Sequence, residues 1–366
     1  MKNEKTYSYG KQYIDNDDIQ AVTEALQDDI ITRGKKTKEL ETKISKLTGH
    51  YYSRVVNSGT SALFLALRIY HFDFGSEIIV SPLTFNATIT AIINNGLFPI
   101  FCDIDKDTLQ IDYTKIEKLI TPRTKAVITM DYAGQQCDFP KIRQLCDNYG
   151  LKLISDSCHS FGLSCSDKYT CYPHISCYSF HPVKTITTGE GGAICLECDY
   201  NKNSLDQLID NGRIESKYVV TTGYNFHMSE INATLGLSQF KKLDDFISKR
   251  RWISTIYSNE FPDLSIKTIR DSVHHLHVLR VKNRSVVIDK LNDKNIFPGV
   301  HYPNLFDQPF YNCNKFNEEY QKKNIKVCFE VWPEIISLPI YYSLTDNDLD
   351  YIVNSIKQVL KETGNF

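Results

Sequence analysis

The chain lacks any apolar run long enough to span a bilayer, and Met1–Gly10 is polar, without the apolar core of a secretory leader. Both absences lead to the expectation of a cytoplasmic protein. It also lacks a charge surplus: 42 Lys and Arg stand against 44 Asp and Glu, and the net charge of −2 argues against a protein whose work is gripping nucleic-acid phosphates. No G-x-G-x-x-G follows an early strand-like run, so the fingerprint of a nicotinamide-dinucleotide enzyme is missing. The 11 cysteines are scattered rather than spaced as a disulfide framework. Only Cys195-Leu-Glu-Cys198 has ligand-like spacing, and no second C-x-x-C completes a zinc set, so no metal site is expected. The thiols are expected to be free and buried in a reducing compartment.

What the chain does have is alternation. Short apolar runs recur at EIIVSP (77–82), FPIFCDI (98–104), KAVITMDY (125–132), LKLISDS (151–157) and GGAICLEC (191–198). Helical patterns lie between several of them: Leu63, Ala66, Leu67 and Tyr70 share one face, and residues 140–149 form another such stretch. Apolar strands alternating with helices predict an α/β fold, a mainly parallel sheet covered on both faces, with ligands at the carboxyl ends of the strands. After about residue 240 the texture changes. A long charged helix (241–258), a strand at 274–281 and a closing amphipathic helix at 346–360 predict a smaller α+β domain over 241–366, after a large domain over 1–240.

Four features could carry chemistry. Asn57-Ser-Gly-Thr-Ser61 precedes a helix expected to start near Ala62, and such a turn offers N–H groups, hydroxyls and the positive helix end to a phosphate; alone it reads as an ordinary cap. Asp156 ends a buried strand, where ligands bind, although it could equally cap the next helix; His159 beside it reads as a local hydrogen-bond partner. Phe85, in Thr84-Phe-Asn-Ala-Thr88, could stack on a flat ring, although a buried core phenylalanine is the default. Lys184 stands in SCYSFHPVKTITTGEGG (176–192), flanked by Val183 and Ile186. A lysine that forms a Schiff base must lose its proton, and such a setting helps; Ser179 could share the phosphate of Gly59–Ser61. Phosphate turn, ring-stacking aromatic, strand-end carboxylate and desolvated lysine are together the parts that hold pyridoxal 5′-phosphate, whose pyridine nitrogen needs a carboxylate partner.

In order and spacing, NSGTSAL, LTFNAT, SDSCHSFG, SFHPVKTITTGEGG and GYNFHMSEINATLGLSQ resemble the DegT/StrS-type sugar aminotransferases. The likeness runs from KQYIDNDDIQAV (11–22) to SLPIYYSLT (337–345). The resemblance implies the aspartate-aminotransferase fold (fold type I) and a homodimer with shared active sites. Lys184 would bind the cofactor and move protons, and Asp156 would pair with the pyridine nitrogen. His159 and Phe85 would lie against the ring, and Gly59, Thr60, Ser61 and Ser179 around the phosphate. Asn225 would reach the phosphate of the neighbouring subunit's cofactor. Thr32, His181, His301 and Tyr302 would face the substrate. FHPVK followed by ITTGEGG, with MDYAGQ (130–135), looks most like the pseudaminic-acid-pathway members. Those aminate C4 of a UDP-4-keto-6-deoxy-N-acetylhexose, to a 4-amino-4,6-dideoxy-N-acetyl-altrosamine type product, with glutamate as the usual donor. Relatives for GDP- or dTDP-linked ketosugars more often carry other residues there. Two departures stand out: His227 where many relatives have Arg, and Arg33 where Gln is frequent. Members that dehydrate rather than aminate replace the lysine with histidine. A cofactor-binding regulator would lose Asp156 or Lys184, or add a DNA-binding segment, for which residues 1–30 are too short and acidic.

Overall fold

The computed structural model describes residues 5–163, 173–215, 217–312, 321 and 323–366. A short strand β1 (Tyr7–Ser8) and helices α1 (Asn16–Ala25) and α2 (Lys35–Thr48) precede the central sheet. That sheet is built from β2 (Tyr52–Val56), β3 (Glu77–Val80), β4 (Phe98–Phe101), β5 (Thr124–Met130), β6 (Lys152–Asp156), β7 (Ile175–Ser179) and β8 (Gly192–Leu196), in the order β2-β8-β7-β6-β5-β3-β4. Only β8 runs antiparallel to its neighbours. The architecture is the α/β arrangement expected from the alternation, and the fold type I that the resemblance implies.

Helices α3 (Gly59–Arg68), α4 (Asn86–Asn94) and α5 (Phe139–Asn148) lie among the crossovers. Alternate strand residues feed separate cores: Ile78, Val80, Ala126, Ile128 and Ile154 pack on one face with α3 and α4, whereas Ile79, Val127 and Leu153 pack on the other with α5. A strand buried on both faces must be apolar at every position, and that is why these runs are uninterrupted. The two strands without such runs, β2 and β7, carry Ser53, Arg54, Ser176 and Ser179, and pair on either side of β8.

Beyond the sheet come α6 (Lys202–Ile209), a small hairpin of β9 (Arg213–Ile214) and β10 (Tyr218–Val219), α7 (Glu230–Phe240) and α8 (Leu243–Glu260). Helix α8 joins two cores. Its Leu243, Phe246 and Ile247 pack with Phe161, Phe180 and α7, and its Ile253 and Tyr257 pack with the C-terminal elements. There β11 (His277–Arg280) pairs antiparallel with β13 (Ile335–Leu338), under a closing helix, Asp346–Glu362, that buries Leu349, Ile352, Ile356 and Leu360. Strand β1 crosses to this second core, pairing with β12 (Ile296–Phe297). Lys5 adds an ion pair to Asp348 at 2.6 Å, in the capping box of the closing helix.

Among the described residues, eight cysteines are free; Cys198 is exposed and Cys158 half-buried, so the expectation of uniformly buried thiols fails at these two, while Cys165, Cys171 and Cys313 lie outside the described residues. No helix of the described residues is long and apolar enough to cross a membrane.

Burial holds eight of the ten histidines below their ordinary pKa, reaching about 4 at His50 and His274 and about 3 at His277 and His301. In the unfolded chain each binds its proton near 6.5, in the folded chain only at lower pH. The unfolded state therefore holds more protons between these limits, and stability falls as pH drops below about 6.5. Asp131 works in the opposite sense, since burial pushes its carboxyl up to about 6. Glu41, also raised by burial, acts with Asp131, and two carboxyls against eight imidazoles leave the histidines in control. Melting of the cofactor-free protein should drop by roughly several degrees from pH 7 to pH 5; a flat or rising midpoint would contradict this account.

Candidate active site

The parallel register brings the pieces to one edge of the sheet. Met130 and Asp156, at the ends of β5 and β6, are aligned partners, and Asp156 is level with Cys177 inside β7. Ser179, at the end of β7, aligns with Gly192 at the start of antiparallel β8, itself opposite Val56 at the end of β2. Above this edge is a cavity of about 340 Å³, lined among others by Gly59, Thr60, Phe85, Asp156, Ser179 and Lys184.

Helix α3 begins at Gly59, a turn earlier than expected, so Gly59-Thr60-Ser61 is the first helical turn rather than a preceding loop. Ser58 caps it: its Oγ accepts from the N–H of Ser61 at 3.1 Å and its carbonyl from Ala62. The N–H groups of Gly59 and Thr60 come first in the helix, where helical geometry supplies no partner, and both residues line the cavity. A Cβ at Gly59 would lie 2.9 Å from Ser179 Cβ, and one at Gly192 2.6 Å from the backbone of Ser58 and Gly59. Only glycine lets the strand ends approach the turn this closely. Ser61 turns inward instead, its hydroxyl 2.6 Å from Asn57 Oδ1.

Asp156 is buried and caps no helix. Its Oδ2 accepts from Thr88 Oγ1 at 2.6 Å and its Oδ1 from the N–H of Cys158 at 3.2 Å. Thr84 lies behind, 2.9 Å from Thr88. The carboxylate is thus held in one orientation by α4 and the following turn. His159 is buried too; its Nε2 lies 2.7 Å from the Tyr302 hydroxyl and its Nδ1 has no hydrogen-bond partner among the described residues. The His275 ring packs on it at 4.3 Å, also with an unpartnered Nδ1. Burial, with Lys184 nearby, keeps both imidazoles neutral.

Phe85 is not a core residue: it stands 54% exposed at the cavity, its ring 5.7 Å from that of Tyr302. An aromatic face left uncovered above a buried carboxylate suits a flat ring. Lys184 lies in the turn after β7, partly open toward the cavity, and removal from water lowers its pKa. Arg250 pushes in the same direction, and Asp156 pulls the other way. His181 is exposed at the cavity, and His301 is half-buried with its Nδ1 2.9 Å from Ser337 Oγ.

Thr32 and Asn225 do not line this cavity. They line a second cleft of about 340 Å³ with Arg33, Arg213 and His227. There the two departures from the family pattern touch: Arg33 Nη1 lies 3.1 Å from His227 Nε2 and 2.7 Å from Asp210 Oδ1, which also accepts from Arg213. Residues that sequence reasoning missed at the cavity include Tyr9, Ser58, Cys158, Glu190 and His275. Of these, Ser58, Cys158 and Glu190 stood inside motifs already singled out.

Three comparisons bear on this arrangement. A model of the DegT/DnrJ/EryC1/StrS aminotransferase family matches residues 12–357. The chain is 32% identical to the spore coat polysaccharide biosynthesis protein SpsC of Bacillus subtilis, over 96% of this chain and 97% of that one. Its structure is similar to that of Helicobacter pylori PseC, an aminotransferase involved in pseudoaminic acid biosynthesis, with a TM-score of 0.92, 28% identity and coverage of 98% of this chain and 100% of that one. It is also similar to the PLP-form of Spr1654 from Streptococcus pneumoniae, with a TM-score of 0.90, 27% identity and coverage of 98% and 100%. The matched span, nearly the whole chain, settles the affiliation: the protein belongs to the DegT/DnrJ/EryC1/StrS aminotransferase family.

Proposed function

We propose that the protein transfers an amino group from an amino acid, glutamate as the usual donor, to C4 of a nucleotide-linked 4-keto-6-deoxy sugar, using pyridoxal 5′-phosphate. The net exchange is balanced: the donor's C–NH₃⁺ becomes a keto group and the sugar's C=O becomes C–NH₃⁺. The observation that carries the reading is the meeting, in one cavity, of a desolvated lysine, an oriented buried carboxylate, an uncovered aromatic face and a glycine-opened helix N-terminus. Pyridoxal phosphate fits this donor set at each point.

When bound, the cofactor supplies an aldehyde for the amine and a ring that draws off electrons. The chain's own residues do the rest. The N–H groups of Gly59 and Thr60, with the Ser179 hydroxyl, hold the phosphate, and the N-terminus of α3 favours its charge. Asp156 keeps the pyridine nitrogen protonated, and Phe85 and His159 confine the ring. Lys184, its Nζ favoured neutral by desolvation, would hold the cofactor's aldehyde end and would take and return the proton of the reacting C–H.

The favoured sugar is a UDP-linked N-acetylated hexose. The similarity to PseC and the lysine-motif residues support it. We further propose a homodimer, in which the cleft of Thr32, Arg33 and Asn225 serves the neighbouring copy's site. The exposed apolar residues Ile30, Ile31, Tyr218 and Val219 in and near that cleft support a covered surface there.

The purified protein loaded with the cofactor should be yellow, and borohydride should fix the cofactor to the peptide containing Lys184. Glutamate alone should bleach the colour and release 2-oxoglutarate in a single turnover. A protein that never takes the cofactor sinks the reading, and one indifferent to every amino donor points to a sensor or dehydratase. Incubation with UDP-, GDP- and dTDP-linked ketosugars, read by mass spectrometry, tests the sugar; preference for GDP or dTDP overturns that choice and leaves the reaction intact.

Asp156→Asn keeps the shape but removes the charge that protonates the ring, so cofactor content should hold while the half-reaction with glutamate slows by roughly two orders of magnitude or more. A loaded variant with a normal half-reaction rate would remove Asp156 from the chemistry. Gly59→Ala, by contrast, should destabilise the fold by about 1–3 kcal/mol through its clash with Ser179 and weaken cofactor binding at least about tenfold, both readable by melting and titration.

A further inference from the structure

One buried charge is not used by the chemistry above. Arg250, in the middle of α8, is 4% exposed, and its hydrogen-bond partners among the described residues include no carboxylate. Its guanidinium is satisfied by carbonyls alone: Nη1 donates to His275 at 3.2 Å and to Ile340 at 2.9 Å, and Nη2 donates to Val183 at 3.3 Å. These carbonyls belong to three separate places. Val183 precedes Lys184, His275 lines the cavity on the approach to β11, and Ile340 follows β13 in the second core. Arg250 also stands where α8 passes from one core to the other, between Ile247 and Ile253.

We infer that Arg250 is a positioning residue for Lys184: its planar fork fixes the Val183–Lys184 turn against the second core and sets an unneutralised positive charge beside the amine. The geometry suits arginine alone, because three carbonyls in different directions match a rigid fork and not a single ammonium. Burying a cation without a carboxylate is costly, and a residue serving only to pack would be replaced by an apolar one at less expense of solvation. Desolvation lowers its pKa only to about 10, so it stays charged at neutral pH. Little screens the pair: the gap that Arg250 and Lys184 both line, with Lys11, Tyr13 and Tyr342, is about 10 Å³, the lower limit for one water.

The other groups facing Lys184 do not duplicate this buried charge. Cys158 and Asp156 pull its pKa upward, His159, His275 and His301 are neutral, and Lys11, His181 and Glu190 are exposed to solvent. Arg250 is the buried cation that opposes Asp156.

This inference rests on the proposed cofactor, and the experiment separates the two. In the loaded wild-type protein, the yellow band of the lysine-bound cofactor is titrated with pH, then again in Arg250→Met, Arg250→Lys and Arg251→Met. Removing the positive charge in Arg250→Met should raise the midpoint by about half a pH unit or more. Arg250→Lys keeps the charge and loses the fork, so its midpoint should stay within about 0.3 unit of wild type while kcat falls about tenfold through misplacement of Lys184. Arg251, bonded to Ser272 and Asp271 on the same segment, should leave both unchanged when replaced by Met. A folded, loaded Arg250→Met with the wild-type midpoint overturns the inference, as does an equal shift in Arg251→Met. Should Arg250→Met not fold, Arg250→Lys decides: wild-type kcat there overturns it. A wild-type protein that never turns yellow defeats the cofactor reading instead.

Discussion

Everything in the site depends on the in-register pairing of β5, β6 and β7. Parallel hydrogen bonding sets Met130, Asp156 and Cys177 at the same height, so the turns that leave those strands face one space. A slip of one residue would turn Asp156 to the opposite face of the sheet and strand its carboxylate in an apolar core. The apolar packing of Ile154 on one side and Leu153 on the other forbids that slip. Stability of the sheet and orientation of the carboxylate are therefore one constraint.

Around that edge the protein has removed water without removing polarity. His159, His275 and His301 sit by the cavity as neutral rings, and Thr88 and the Cys158 amide hold Asp156. In such surroundings a single unopposed charge acts over a longer reach than it would in water. That is the physical setting in which a lysine amine gives up its proton, and in which a guanidinium satisfied by carbonyls retains its full electrostatic effect.

The cleft of Arg33 and His227 makes a separate point. Read along the chain, the two departures from the family pattern are 194 positions apart and look independent. In space they are in contact and share Asp210 with Arg213. One of the two guanidinium groups in the cleft thus comes from the segment before α2 and the other from Arg213.

Much of the fold was legible because burial on both faces leaves a plain record, and β3 to β6 and β8 announce themselves as unbroken apolar runs. Strands β2 and β7 do not, since serines and Arg54 interrupt them; pairing with β8, and for β7 also with β6, makes them strands. The start of α3 was misplaced because Gly59 disfavours helix by itself, and the capping bond from Ser58 and the close approach of Ser179 decide otherwise. By itself the sequence determined the fold class, the strand-end aspartate, the lysine and its glycine-rich neighbours, because each sits in a contiguous motif with its own local chemistry. Tertiary structure alone decided that Phe85 stays uncovered, that Thr88 clamps Asp156, and that Arg250 and His275 reach the lysine turn. Those contacts join residues far apart in the chain, where no local periodicity or spacing records the meeting.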